Sequence, residues 1–216
     1  MRSILIGALA TLTACGPMNE GSLASRLVED KIAPLVGLGT APSAKPATPA
    51  PKLTDAAPGE VLLVKIISRN AVAPMRRLSE NGDTITWVSP GQVSLTFQDD
   101  ILIATRGLNE DLMGADVSGV RAALAKGQGI VTRTQSYLNS EDQIVLRKMT
   151  CTIIADGTAK IADLTGTRET HKYTETCRGP VFGFTNTYWL DRPGGDIVQS
   201  RQAVSATVGF IQVNPL

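Results

Sequence analysis

The sequence predicts a mainly β domain over residues 60–216: an antiparallel sandwich or open barrel-like sheet with one or two short helices. Three observations carry that expectation. From Glu60 onward, apolar and polar residues alternate in stretch after stretch, the period of a strand with one face buried and one wet. Turn residues separate the stretches at short intervals, as in Asn81-Gly82, Pro90-Gly91, Asp99-Asp100 and the later "ADG", "RG" and "RPGG" gaps. One internal segment has helical spacing, so most strands are joined by hairpins and not by crossover helices.

Two segments precede the domain. In "MRSILIGALATLTAC", Arg2 stands ahead of an apolar run from Ile4 to Thr13, about half the ~20 residues that span a bilayer, so residues 1–14 read as a signal peptide. Leu12-Thr13-Ala14-Cys15 resembles the lipobox of bacterial lipoproteins. That resemblance implies a diacylglycerol on the Cys15 thiol, cleavage before Cys15 and an acylated new amino terminus; the alternative is a plain secretory signal with an incidental cysteine. Each buried methylene contributes ~0.8 kcal/mol, so two or three acyl chains hold a domain on a bilayer without a spanning helix. Gly16, where an aspartate would favour inner-membrane retention, makes the outer membrane the expected location. Residues 15–59 then carry a short candidate helix with Leu23, Leu27, Ile32 and Leu35, followed by an Ala/Pro-rich stretch with little to bury. Extended at ~3.1 Å per residue, that stretch is a tether of roughly 60 Å.

Within the domain, "VLLVKIIS", "DTITWVS", "QVSLTFQ" and "ILIATR" predict an antiparallel meander, with Val93, Leu95 and Phe97 on one face and Ser94, Thr96 and Gln98 on the other. "DVSGVRAALAKG" breaks the pattern. Val117, Val120, Ala123 and Leu124 recur at helical spacing, Asp116 or Ser118 can cap, and Gly127 can stop the helix. The β texture resumes in "GIVTRTQSYL", "QIVLRKMTCTIIA", "GTAKIADLTGTRETHKYTETC", "FGFTNTYWLD" and "GDIVQSRQAV". The two halves share a texture without a residue-level repeat.

The formal net charge of +1 offers no basic field for nucleic acid. A lipoprotein faces an oxidising compartment, where Cys151 and Cys177 pair naturally, two free thiols being the alternative. Closing that loop would stabilise the domain by on the order of 3 kcal/mol. His171 is the single histidine, and no Gly-x-Ser-x-Gly elbow, metal-ligand spacing or phosphate loop accompanies it. The adjacent acids Asp99-Asp100, Glu110-Asp111 and Glu141-Asp142 are the remaining catalytic candidates, and each falls where a turn is expected. The reading is therefore non-enzymatic, with no catalytic residue, no metal and no cofactor beyond a covalent lipid on Cys15. Trp87, Tyr188 and Trp189 could stack on sugar rings. As strand neighbours, Tyr188 and Trp189 must point to opposite faces.

Two longer stretches carry a family resemblance. "NGDTITWVSPGQVSLTFQDDILIATRGLNEDLMGAD" holds Thr105, Arg106, Gly107, Leu108, Asp111 and Leu112 in a "tRGL..DL" pattern. "TNTYWLDRPGGDIVQSRQ" holds Asn186, Tyr188, Trp189, Asp191, Gly195, Val198, Ser200 and Gln202 in a C-terminal hairpin pattern. Both resemble the YjbF-type lipoprotein family, over nearly the whole mature domain but not the tether. The resemblance implies an outer-membrane lipoprotein assisting production or export of an exopolysaccharide or group 4 capsule, beside an outer-membrane channel and other envelope accessory proteins. It supplies no reaction. The Ala/Pro tether and the Cys151 and Cys177 pair are not assigned to the common pattern. Gly107 and Gly195 suit tight turns, and Asp191 can bond its own turn. Arg106 at a strand end can clamp a carboxylate, either internally on Asp111 or Asp191 or on a partner. Candidate partner or glycan contacts are thus Arg106, Asp111, Trp87, Tyr188, Trp189, Asp191 and Gln202. Competing readings are a lipid-anchored polysaccharide-modifying enzyme, which needs two acids about 5 to 9.5 Å apart in a cleft, and a pilotin-like assembly factor for an outer-membrane channel.

Overall fold

A computed structural model describes residues 59–163 and 166–215; the signal peptide, Cys15, the candidate N-terminal helix and most of the tether lie outside them. The described chain runs β1 (Val61–Ile66), β2 (Ala71–Asn81), β3 (Thr84–Val88), β4 (Ser94–Gln98), β5 (Ile101–Arg106) and β6 (Gly114–Asp116). After α1 (Val120–Lys126) come β7 (Gln128–Leu138), β8 (Ile144–Asp163), β9 (Gly166–Arg178), β10 (Gly183–Leu190), β11 (Ile197–Ser205) and β12 (Gly209–Pro215). All twelve strands form one antiparallel sheet, ordered β5-β4-β3-β2-β1-β12-β11-β10-β9-β8-β7-β6. Of the expected architectures the barrel is the one formed. Because β1 pairs with both β2 and β12, the N- and C-terminal runs of strands join in one sheet, which curls into a nearly closed barrel whose seam lies between the edge strands β5 and β6.

Turn chemistry fixes the hairpins. Asp99 and Asp100 take φ of 48° and 65° between β4 and β5, the left-handed values of a tight two-residue loop that Asp tolerates better than most side chains. Gly82 does the same between β2 and β3 with φ 61°. The "ADG" gap is different: it is a bulge inside β8, where register shifts between Ala155 and Thr158 and Gly157 takes φ 76°. β2, β6 and β12 extend the expected strand set. In β2, Pro74 and the arginines at 76 and 77 mask the alternation that buries Met75.

The helix stops as expected, Gly127 donating its N–H to the Leu124 carbonyl in a left-handed cap. Its start differs. Gly119 is the N-cap and offers no side chain, while Asp116 accepts from the Ser118 N–H and hydroxyl one turn earlier. Val120, Ala123 and Leu124 pack on Ile101, Ile153, Tyr173, Tyr188, Leu190 and Ile197, so α1 covers inward residues from five strands. A second apolar cluster gathers Leu62, Met75, Trp87, Leu95, Phe97 and Ile211, each fully buried large side chain contributing roughly 1.5 to 3 kcal/mol.

Cys151 on β8 and Cys177 on β9 are direct cross-strand partners and form a disulfide, with Cα atoms 4.0 Å apart and both side chains buried. The expected pairing is therefore present. The bond fixes which face of β8 and β9 points inward, and alternate residues from Met149 to Ile153 and from Tyr173 to Cys177 follow, up to the β8 bulge.

Candidate functional site

The "TRGLNEDL" stretch, residues 105–112, is the clasp that shuts the seam. The Thr105 N–H donates to the Leu112 carbonyl at 2.9 Å, and the Leu112 N–H donates to the Thr105 hydroxyl at 3.0 Å. One Asp111 carboxylate oxygen accepts from the Thr105 hydroxyl at 2.8 Å and the Leu108 N–H at 3.1 Å; the other accepts from the Gly107 N–H at 2.8 Å. Gly107 takes φ 88°, which an L side chain resists, and the leucines at 108 and 112 drop into the core. Arg106 bonds neither Asp111 nor Asp191. Its guanidinium donates to the carbonyls of Thr105, Leu112 and Met113, tying the end of β5 to the chain entering β6. Both expected carboxylate partners are replaced by backbone because Asp111 is already engaged by three donors in its own turn.

The C-terminal hairpin motif divides between surface and interior. Asp191 accepts from the Asp196 N–H at 2.8 Å and pairs with Arg192, which organises the β10–β11 turn. Trp189 points outward and is half-buried, whereas Tyr188 points inward and is fully buried, as strand alternation requires. Gln202 crosses the barrel from β11 to β5. It accepts from the Leu102 N–H at 2.8 Å and donates to the Asp100 carbonyl at 2.9 Å and the Ser200 hydroxyl at 3.0 Å. Burial of Tyr188 and Gln202 therefore corrects their place among candidate glycan contacts: their polar atoms are spent on the barrel itself.

Next to them lies a buried ionic cluster that the sequence reading did not single out. Glu175 on β9 accepts from Arg133 Nε and Nη2, both at 3.2 Å, from Asn186 Nδ2 at 2.8 Å and from the Tyr188 hydroxyl at 2.7 Å. Arg133 is 1 % and Glu175 0 % exposed. Burial, with the Glu175 charge adding to it, pushes the Tyr188 hydroxyl well above its ordinary range, so it stays protonated and donates. Asn186 completes the layer by accepting from the Ala203 N–H on β11. The signal was in the sequence: Thr-Arg-Thr and Thr-Glu-Thr place one charge between two polar residues on strands whose odd positions face inward. Cys151, Glu175 and Cys177 are also the one group of potential metal ligands among the described residues. Here the sulfurs are joined and the carboxylate is fully bonded, so the trio is structural in the oxidised protein.

A cavity of about 170 Å³ opens among β1, β3, β4, β11 and β12, with Trp87, Phe97, Ile85, Ile197 and Val213 in its wall. Trp87 is nearly buried, and the Arg77 guanidinium lies 5.5 Å from its ring centroid. Asp100 also lines the cavity. Although the residue is exposed in the β4–β5 turn, partial desolvation of its carboxyl at the cavity raises its pKa; Arg121 opposes that shift, and Asp196 and Asp99 add to it. Among the lining residues Asp100 is the only acid. The other acidic pairs occupy turns: Glu110 accepts from the Thr207 N–H beside the clasp, and Asp142 takes φ 57° in the β7–β8 loop. The arrangement can seat a small apolar group or one face of a ring, with a single acid beside it.

A family model described as "Group 4 capsule polysaccharide lipoprotein gfcB, YjbF" matches residues 28–216. No curated protein matches the sequence. Among solved structures, the chain is similar to the crystal structure of the hypothetical lipoprotein YmcC from Escherichia coli (K12), with a TM-score of 0.62 and 18% identity. That similarity covers 71% of this chain and 81% of that one, and it shows a shared fold.

Proposed function

Since the chain belongs to the YjbF family of group 4 capsule polysaccharide lipoproteins, we propose that it is a non-enzymatic, lipid-anchored accessory in production or export of an extracellular polysaccharide. Acylated Cys15 holds it on the outer membrane, the Ala/Pro stretch sets its reach, and the β domain works on the periplasmic side with an export channel, another envelope protein or the glycan. The family match is the observation that carries this reading, and the lipobox-like Leu12 to Cys15 agrees with it. Two features support a non-catalytic role. The strongest polar groups, Arg133, Glu175, Asn186 and Gln202, are bonded to one another or to backbone, and the cavity offers one carboxylate where a glycosidase needs two.

Surface and secreted polysaccharide in a strain lacking the gene tests the proposal, with complementation by wild type and by Cys15→Ala. The expected result is loss of surface polysaccharide, restored by the lipidated form alone. Polysaccharide unchanged in amount and size after deletion would refute the role. Mislocalisation of an outer-membrane channel in the same strain would direct it toward assembly.

A further inference from the structure

Four adjacent strands each carry a Thr-x-Thr triplet: 132–134 on β7, 150–152 on β8, 174–176 on β9 and 185–187 on β10. The middle residues are Arg133, Cys151, Glu175 and Asn186, all buried inside the barrel. Alternation therefore turns the threonines of all four strands to the outer face. The register aligns them, because Thr132 pairs with Thr150, Thr152 with Thr176, Thr176 with Thr185, and Thr174 with Thr187. Strands lie about 4.8 Å apart, so the hydroxyls form a ladder with roughly that spacing across the sheet, exposed or half-buried except at Thr187, which its neighbours cover. The Thr176 and Thr185 hydroxyls are 3.3 Å from each other.

Three further features share this face. A shallow groove of about 290 Å³ runs over Thr150, Thr152, Ile154 and Thr176 and ends on the exposed Arg178. Trp189, two residues beyond Thr187 on β10, presents its partly exposed ring at one end of the array. The charged residues at outward positions in register with the ladder are Lys148, Lys172, Arg178 and Arg201, all basic. The carboxylate that the β8 bulge adds, Asp156, is held by Lys172 at 2.6 Å.

We infer that this face is a binding platform for an extended acidic polysaccharide, laid across β7 to β10. The threonine hydroxyls donate to and accept from sugar hydroxyls, the Trp189 ring stacks on a sugar face, and Lys148 and Arg178, which are not engaged as Lys172 is by Asp156 and Arg201 by the Phe210 ring, meet the carboxylates of the glycan. Exposed Ile130 and Ile154 are the large apolar side chains beside the threonines, too few for the apolar core of an ordinary protein interface. The exposed Leu138, Ile144 and Leu146 share the outer face but lie toward the β7–β8 loop, beyond Lys148, and leave the ladder itself polar. The inference rests on the polysaccharide reading proposed above and gives it a surface and a ligand class.

Affinity electrophoresis of the lipidated full chain in detergent, in gels containing polygalacturonate or neutral dextran, tests it. Wild type should be retarded by polygalacturonate and not by dextran. The double variant Thr152→Val/Thr176→Val keeps branching, charge and fold while removing two hydroxyls, and should bind at least tenfold more weakly. Lys148→Gln/Arg178→Gln should weaken binding similarly and flatten its salt dependence. Equal retardation of wild type and the threonine variant, or equal retardation by dextran, would overturn the platform. The two readings separate cleanly. Threonine-dependent binding in a protein whose deletion leaves surface polysaccharide intact sinks the export role and keeps the platform; a deletion phenotype with no polygalacturonate binding does the reverse.

Discussion

Glu175→Gln keeps the shape of the buried cluster and removes its negative charge. Arg133, 1 % exposed, then holds a guanidinium inside the barrel with no counter-charge, and the new amide brings N–H donors toward a site already occupied by donors from Arg133, Asn186 and Tyr188. Breaking one side of a buried pair costs about 3 to 5 kcal/mol. At roughly 2 to 4 °C per kcal/mol for a domain of this size, the melting temperature should fall by about 6 to 20 °C. Arg133→Met should cost a similar amount, because it strips two of the four hydrogen bonds from a carboxylate that stays buried. Combining Arg133→Met with Glu175→Gln removes both charges and leaves the Gln carbonyl to accept from Asn186 and Tyr188. The double variant should therefore be more stable than the sum of the singles predicts, by at least about 2 kcal/mol. Urea unfolding at pH 7, with the disulfide intact in all four proteins, measures the cycle. Single-variant costs below about 1 kcal/mol, or additivity within about 0.5 kcal/mol, would refute the claim that the pair acts as a unit.

The acid in the cavity gives a prediction of opposite sign. Partial desolvation at the cavity raises the Asp100 pKa in the folded state although the residue is exposed, so a stability contribution reduced by solvent screening is complete below the unfolded value near 3.9 and is lost as pH rises through the folded one. Asp100→Asn, whose side chain also tolerates φ 65°, should raise the melting temperature at pH 7, with the advantage vanishing at about pH 3.5; a variant less stable than wild type at neutral pH would contradict this. Reducing the Cys151–Cys177 bond, or replacing either cysteine by serine, should cost about 3 kcal/mol in the same urea titration, and an unchanged midpoint would deny the bond a stabilising role. Asp111→Ala removes an acceptor of three hydrogen bonds, costs on the order of 2 to 3 kcal/mol, and should speed amide exchange at Gly107, Leu108 and Leu112 ahead of the β9–β10 amides. Uniform exchange across both regions would mean that the clasp is not the weak point of the ring.

Much of this fold is legible because local rules and global packing agree. Val93 to Gln98 alternates, Asp99-Asp100 turns, and Gly127 stops the helix, each through chemistry confined to a few residues. The same parity rule places Tyr188 inside and Trp189 outside. Other features depend on partners remote in sequence. Arg106 reads as a carboxylate clamp until the chain entering β6 brings the carbonyls of Leu112 and Met113 to it. Asp-Gly at 156–157 reads as a turn until β9 continues alongside and makes it a bulge. The Arg133 and Glu175 charges look like solvated strand residues because alternation alone cannot say which face of a mixed polar strand is the inner one. Cys151 and Cys177 could have said so, since a cross-strand disulfide inside the barrel carries Glu175 inward with it. The threonine triplets follow from that same assignment.

The ring's connectivity also has a mechanical side. The chain enters the domain at β1, which sits near the middle of the strand order, away from the seam. β1 is held by six register pairs with β2 and five with β12. On the anchoring proposed above, a pull transmitted from Cys15 to β1 would load both ladders in shear, with many backbone bonds sharing the force at once. The same pull applied at β5 or β6 would peel an edge strand one bond at a time. If the proposed anchoring holds, the domain would be attached by the strand best placed to resist extraction.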